Sequence, residues 1–109
     1  SASQAHTIGS MILEGKSYYA VASELREIIK EREQAYEFLD ALEKWYRDLL
    51  LCKTGVYSGH SDPVRVKYSE LLLREKAYEG IALIEEARRD LDHRMNIGYT
   101  MKNMILKMI

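Results

Sequence analysis

The sequence predicts an all-helical fold, a compact bundle of about five to six helices, and three observations predict it. Its 109 residues hold a single proline. The long runs between breakers are rich in Ala, Leu, Glu, Lys and Arg, the residues that lose least on entering a helix. Apolar residues recur at the three- and four-residue spacing that collects them on one face of a helix, as in Leu42, Trp45, Leu49 and Cys52.

A first helix is expected over residues 4–14, closed by Gly15, and a second after Ser17, whose hydroxyl can cap the free amides of the next turn. Tyr18, Val21, Leu25 and Ile28 mark the inner face of the second. The charged run over 26–33 contains no breaker and is compatible with a polar turn or a continuation; a third helix is placed from about Arg32 to Lys53. Lys44, Arg47 and Asp48 fall largely on the side opposite its apolar stripe, and Gly55 is suited to the left-handed turn that ends such a helix. Leu49, Leu50 and Leu51 cannot all face one way, so this helix is expected to meet apolar surface on both sides. Residues 54–62 collect Gly, Ser, His and Asp and read as a loop. Asp62-Pro63 then opens a new helix, with an aspartate cap and a proline whose missing amide is no loss in the first turn. A short helix over 63–68 is separated at Ser69 from a longer one reaching Leu91, with Tyr78, Ile81, Ile84, Ala87 and Leu91 buried and Glu85, Arg88, Arg89 and Asp92 outside. Asn96 and Gly98 mark the next break. The last helix, 99–109, carries Met101, Met104, Ile105 and Met108 on one face, widened by Leu106 and Ile109.

Composition bounds the function. A chain that is 47% hydrophobic and 30% charged is neither disordered nor a membrane protein, and no apolar run approaches the ~20 residues that span a bilayer. The formal charge of -1, with acids and bases interleaved, leaves no excess of cations for a nucleic-acid backbone, so direct DNA contact is not expected. The lone Cys52 excludes an internal disulfide and reads as a small buried residue in a reducing, cytoplasmic compartment. The start at Ser1-Ala2-Ser3, without methionine, reads as a single domain, residues 1–109, cut from a longer protein.

Chemistry-bearing motifs are sparse. Gly15-Lys16-Ser17 matches the end of a phosphate-binding loop, but that motif needs a glycine where Ser10 stands, and Met11-Ile12-Leu13 is bulky where backbone must wrap phosphate. His6, His60 and His93 lack metal-binding spacing and read as surface or loop groups. Glu85 and Glu86 point in different directions from a helix and have no nucleophile beside them. No catalytic residue, metal ligand or cofactor site is therefore expected. Arg47 and Asp48 form the polar pair best placed for a bidentate bond across a helix junction or subunit boundary, the alternative being an exposed pair of small consequence. Trp45 and the methionines of the last helix are assigned to the core.

The order of features is more specific than that of a generic bundle: Phe38-Leu39-Asp40, Trp45-Tyr46-Arg47-Asp48-Leu49-Leu50, a polar loop, Ile84-Glu85-Glu86-Ala87-Arg88-Arg89-Asp90-Leu91, and a final apolar helix. It resembles the C-terminal collar domains of the bacterial DNA polymerase III clamp loader, and most closely that of the delta-prime subunit. The family's last turn usually reads Asn-x-Asn; here Asn96 keeps the second Asn and Arg94 replaces the first. The resemblance implies a non-catalytic oligomerisation domain that joins the collars of the other loader subunits, gamma/tau and delta, within the pentamer that places the sliding clamp on DNA during replication. The isolated domain would be a monomer or weak homo-oligomer, and the DNA-directed DNA polymerase activity would belong to the parent holoenzyme. Trp45, Tyr46, Arg47, Asp48, Leu50 and Asn96 are the candidate structural or interface residues. Two other readings stand beside this one: the collar of a related loader ATPase subunit or loader-like factor, and a small ligand-binding or regulatory bundle with a polar pocket near Tyr46, Tyr78 and Tyr99.

Overall fold

The computed structural model describes residues 1–55 and 62–109. They form six helices: α1 (Ala2–Leu13), α2 (Tyr18–Ile28), α3 (Arg32–Thr54), α4 (Pro63–Leu71), α5 (Arg74–Asp92) and α6 (Ile97–Met108). No strand occurs among the described residues, so the all-helical expectation holds. The long α3 is the central element. It packs against α1, α4 and α5; α5 in turn carries α6, and α2 bridges α1 to α6.

Local chemistry explains most of the boundaries. Gly15 adopts a left-handed φ of 76°, and the amides of Gly15 and Lys16 donate back to Ile12 and Met11, which closes α1. Ser17 then caps α2, its hydroxyl accepting from the Ala20 amide. Gly15-Lys16-Ser17 is thus a stop followed by a start. The run at 26–33 breaks: Ile29 is extended, and the Gln34 side-chain oxygen accepts from the amides of Lys30 and Glu31 at the head of α3. At the other end Gly55 is left-handed (φ 75°), and Asp62 caps α4 by accepting from the Val64 amide. Of the loop expected over 54–62, Thr54 belongs to α3, and residues 56–61, including His60, lie outside the described residues.

The break between α4 and α5 falls at Leu72-Leu73, not at Ser69. Ser69 lies inside α4, buried, and its hydroxyl is satisfied within the helix by donating to the Val66 carbonyl at 2.8 Å. What bends the chain is burial: Leu72 turns into the core while Leu73 faces solvent. The buried stripe of α5 also differs from the expected one. Ala77, Gly80, Ile84, Ala87 and Leu91 face inward, Ile81 is half-buried, and Tyr78 is 60% exposed. The reason is the close approach of α5 to α3. A Cβ on Gly80 would stand 2.9 Å from Cζ of the buried Tyr46, so the small residues take the contact and the tyrosine is turned out.

At the α5–α6 turn, Arg94 has a left-handed φ of 62°, and the amides of Arg94 and Met95 donate to the carbonyls of Leu91 and Asp90. Asn96 then caps α6 by accepting from the Tyr99 amide at 2.9 Å. The two positions of the Asn-x-Asn pattern are therefore a left-handed helix stop and a helix cap, both favourable to asparagine. An arginine at the first carries a steric penalty that glycine escapes. Arg94→Gly is expected to stabilise the domain by about 0.5–1 kcal/mol, the relief of left-handed strain exceeding glycine's extra freedom when unfolded. Urea unfolding of the two proteins checks it; a loss of stability would show that Arg94 is held by something stronger than its backbone strain.

Candidate interaction surface

Of the six candidate residues, Trp45, Tyr46 and Leu50 are held on α3 by contacts within the domain. Trp45 is half-buried at the edge of the core. Its indole covers Gly9 of α1, where an added Cβ would meet three ring carbons at 2.4–2.6 Å, and its Nε1 donates to His6 Nδ1 at 3.3 Å. His6 is consequently not a plain surface group: it is half-buried, with the Tyr68 ring edge-on at 5.3 Å. His93 is exposed at the end of α5.

Tyr46 is 3% exposed and meets Trp45 edge-on at 5.4 Å. Burial pushes its hydroxyl up to about 12. The fold therefore favours the neutral phenol, and this stability is complete below the unfolded value near 10 and lost as pH rises through the folded one. Replacing Tyr46 with phenylalanine should remove this dependence, so wild type should lose about 2 kcal/mol more than Tyr46→Phe between about pH 9 and pH 12 in urea unfolding. Equal losses would mean that the ring takes its proton off without leaving its place.

Arg47 and Asp48 do not pair with each other. Arg47 binds Glu43 at 2.9 Å and Asp48 binds Lys44 at 3.5 Å, each one turn back along α3. Neighbouring helical residues diverge by about 100°, while residues four apart are stacked, which favours these partners. Leu50 packs half-buried against the core, whereas Leu49 is fully buried and Leu51 is 44% exposed. Asn96 stands apart on the α5–α6 turn. Tyr78 and Tyr99 are exposed while Tyr46 is buried, so the three do not line a common pocket.

Sequence reasoning placed Arg88 on the outer face and missed its role. Its guanidinium reaches Asp40 at 2.8 Å and Glu43 at 3.0 Å on α3, and Glu85 at 2.6 Å on its own helix. Only the Glu85 spacing is visible in the sequence; the other partners lie more than forty residues away. Partial burial alone would lower the Arg88 pKa, but hydrogen bonds to Glu43, Glu85 and Asp40 outweigh it and hold the charge more firmly than usual. A second missed connection is Arg32, which donates to the carbonyls of Leu91 (2.8 Å) and Met95 (3.1 Å), while the Tyr36 hydroxyl donates to Asp92 at 2.5 Å. The Leu91 carbonyl also accepts from the Arg94 amide, so the arginine adds a second donor there and satisfies the Met95 carbonyl; together these bonds fix the head of α3 against the α5–α6 turn.

Among the described residues no group of three His, Cys, Asp or Glu side chains is placed to hold a metal ion. No helix among them is long and apolar enough to cross a membrane. What the surface does offer is apolar. Tyr99 and Leu106 on α6 and Ile109 at its C-terminal cap are 57%, 49% and 54% exposed, and with Lys102 they recur at three- and four-residue spacing as one outward stripe. A second exposed apolar group, Leu71, Leu73 and Tyr78, lies at the α4–α5 elbow. Comparison with known proteins gives no match among protein-family models, curated proteins or solved structures.

Proposed function

We propose that this chain is an oligomerisation domain of a bacterial DNA polymerase III clamp loader, of the delta-prime type, which joins the collars of gamma/tau and delta and acts in the cytoplasm during DNA replication. The observation that carries the assembly reading is the outward stripe of Tyr99, Leu106 and Ile109 along α6 and its C-terminal cap: a helix that buries Met101, Met104 and Ile105 on one side keeps a second apolar side in water. The subunit assignment rests on the motifs of α3, α5 and the Asn96 cap. The domain's contribution is contact, spread over helix faces and not focused in a catalytic group.

Light scattering after size exclusion, on the chain alone and mixed with the collar-containing gamma/tau and delta subunits, tests the proposal. A mixed complex of defined mass is expected, lost in Leu106→Glu while thermal unfolding stays within the range of a surface substitution. Leu106 is the proper target; charge on Leu50 would enter the core side of α3. A chain that remains monomeric with every partner removes the loader reading.

A further inference from the structure

The assembly reading leaves open what kind of surface the partner presents, and the face between α2 and α6 answers that. A groove of about 360 Å³ runs between these helices. Its apolar lining comes from Ala22 and Leu25 on α2, from Ile29 just past it, and from Ile97, Met101 and Ile105 on α6. The charged residues that line it are Arg26, Lys30 and Lys102, without a single carboxylate. Arg26 and Lys102 form no ion pair among the described residues, and Lys30 meets only Glu27, at 4.0 Å, with both side chains well exposed. The chain as a whole is slightly acidic, yet this face is locally cationic, and α6 contains no acidic residue at all.

The groove is also polarised. Arg32, just past α2, donates to the Met95 carbonyl just before α6, so the end of α2 lies against the start of α6. Lys30 and the first turn of α6, including Gly98, therefore share one end of the groove. There the positive start of the α6 dipole adjoins the negative end of α2, and the Tyr99 amide is already taken by Asn96, so the Lys30 ammonium is what carries positive charge at this end. Beyond the groove, the apolar surface continues onto Tyr99, Leu106 and Ile109. That stripe covers about three helical turns, roughly 15 Å. A small amphiphilic anion in the groove would leave it uncovered; a helix laid along α6 would cover both.

We propose that the α2/α6 face is the docking site for an acidic amphipathic helix of a partner subunit, its apolar side in the groove and against the α6 stripe and its carboxylates facing Arg26, Lys30 and Lys102. The proposal rests on the assembly reading and names the partner's chemistry: leucine-like residues at helical spacing flanked by Glu or Asp.

The test titrates the isotope-labelled chain, followed by amide NMR, with a helical peptide of about five turns carrying a leucine stripe flanked by glutamates, and with the same peptide carrying lysines instead. The acidic peptide is expected to shift the amides of Ala22, Leu25, Gly98 and Met101. Its affinity should fall about tenfold or more with Arg26→Glu/Lys102→Glu, and fall with added salt. Both positions are exposed, so thermal unfolding should hardly change; Arg26→Ala/Lys102→Ala gives a milder variant should reversal disturb the fold. Equal binding of the two peptides, or shifts elsewhere, overturns the proposal. So does displacement of the peptide by dodecanoate, which assigns the groove to a small amphiphile, or binding to anionic vesicles in its place, which assigns it to a lipid surface. A loader complex that survives both charge variants rejects this docking site and leaves the assembly reading standing. An acidic peptide seated in the groove without any loader complex does the reverse.

Discussion

Replacing Phe38 with alanine is expected to destabilise the domain by about 3–5 kcal/mol, the largest effect of any single truncation considered. Phe38 is 1% exposed on α3, the helix onto which α1, α4 and α5 all pack. Losing the ring removes its transfer free energy and leaves a cavity that a close-packed core closes only in part. Native stabilities of small domains are about 5–15 kcal/mol, so the variant could lose most of its margin. Phe38→Leu, which keeps more of the volume, should cost clearly less. The check is the urea midpoint multiplied by a slope shared among the three proteins. A loss below about 1 kcal/mol for the alanine variant would mean that the centre of the bundle collapses freely, contrary to close packing.

Arg88→Ala should be the second largest, at about 2–3 kcal/mol near neutral pH. The value lies below that for a fully buried pair because Asp40 and Glu85 are 71% and 44% exposed and solvated, while Glu43 is only 17% exposed. Without the guanidinium, three carboxylates face one another across the α3–α5 contact, and Glu43 retains Arg47 alone. The pH dependence separates this loss from lost packing. Partial burial pushes Glu43 up, but the hydrogen bonds it accepts from Arg88 and Arg47 outweigh burial and hold its carboxyl below its usual range. A depressed carboxylate contributes stability above its unfolded pKa, near 4.3, and loses it as pH falls through the folded value. The gap between wild type and Arg88→Ala should therefore be widest at neutral pH and narrow below about pH 4. A gap of constant size would assign the loss to the arginine stem, and Arg88→Met would then restore it.

Several parts of the fold were legible because their causes are local. Gly15 and Gly55 end helices through the left-handed conformation that glycine alone adopts without strain, and Ser17 and Asp62 supply the caps that follow; Asn96 and Gly98 were read together as a break, whereas Asn96 caps α6 and Gly98 lies inside it. The spacing of Leu42, Leu49 and Cys52 located the inner face of α3, and all three are buried. Where reading failed, a distant neighbour had decided. Tyr78 had the right spacing for the core but lost the position to Gly80, because only a residue without a side chain fits over the Tyr46 ring. Ser69 looked like a break but bonds within its helix, and the bend came one turn later, where Leu72 finds the core.

The same division governs the surface. Lys44 and Arg47 lie outside on α3 as expected while Asp48 is half-buried, and Arg47 and Asp48 each chose the residue one turn back. The sequence by itself determined the helical class, most helix ends and the lack of a recognisable catalytic motif, since these follow from propensity, capping and spacing within a few residues. Only the tertiary structure decided the Arg88 cluster, the Arg32 clasp on α5 and the cationic groove between α2 and α6. Each joins residues some forty-five or more positions apart, and no periodicity along a chain encodes which helices will lie side by side.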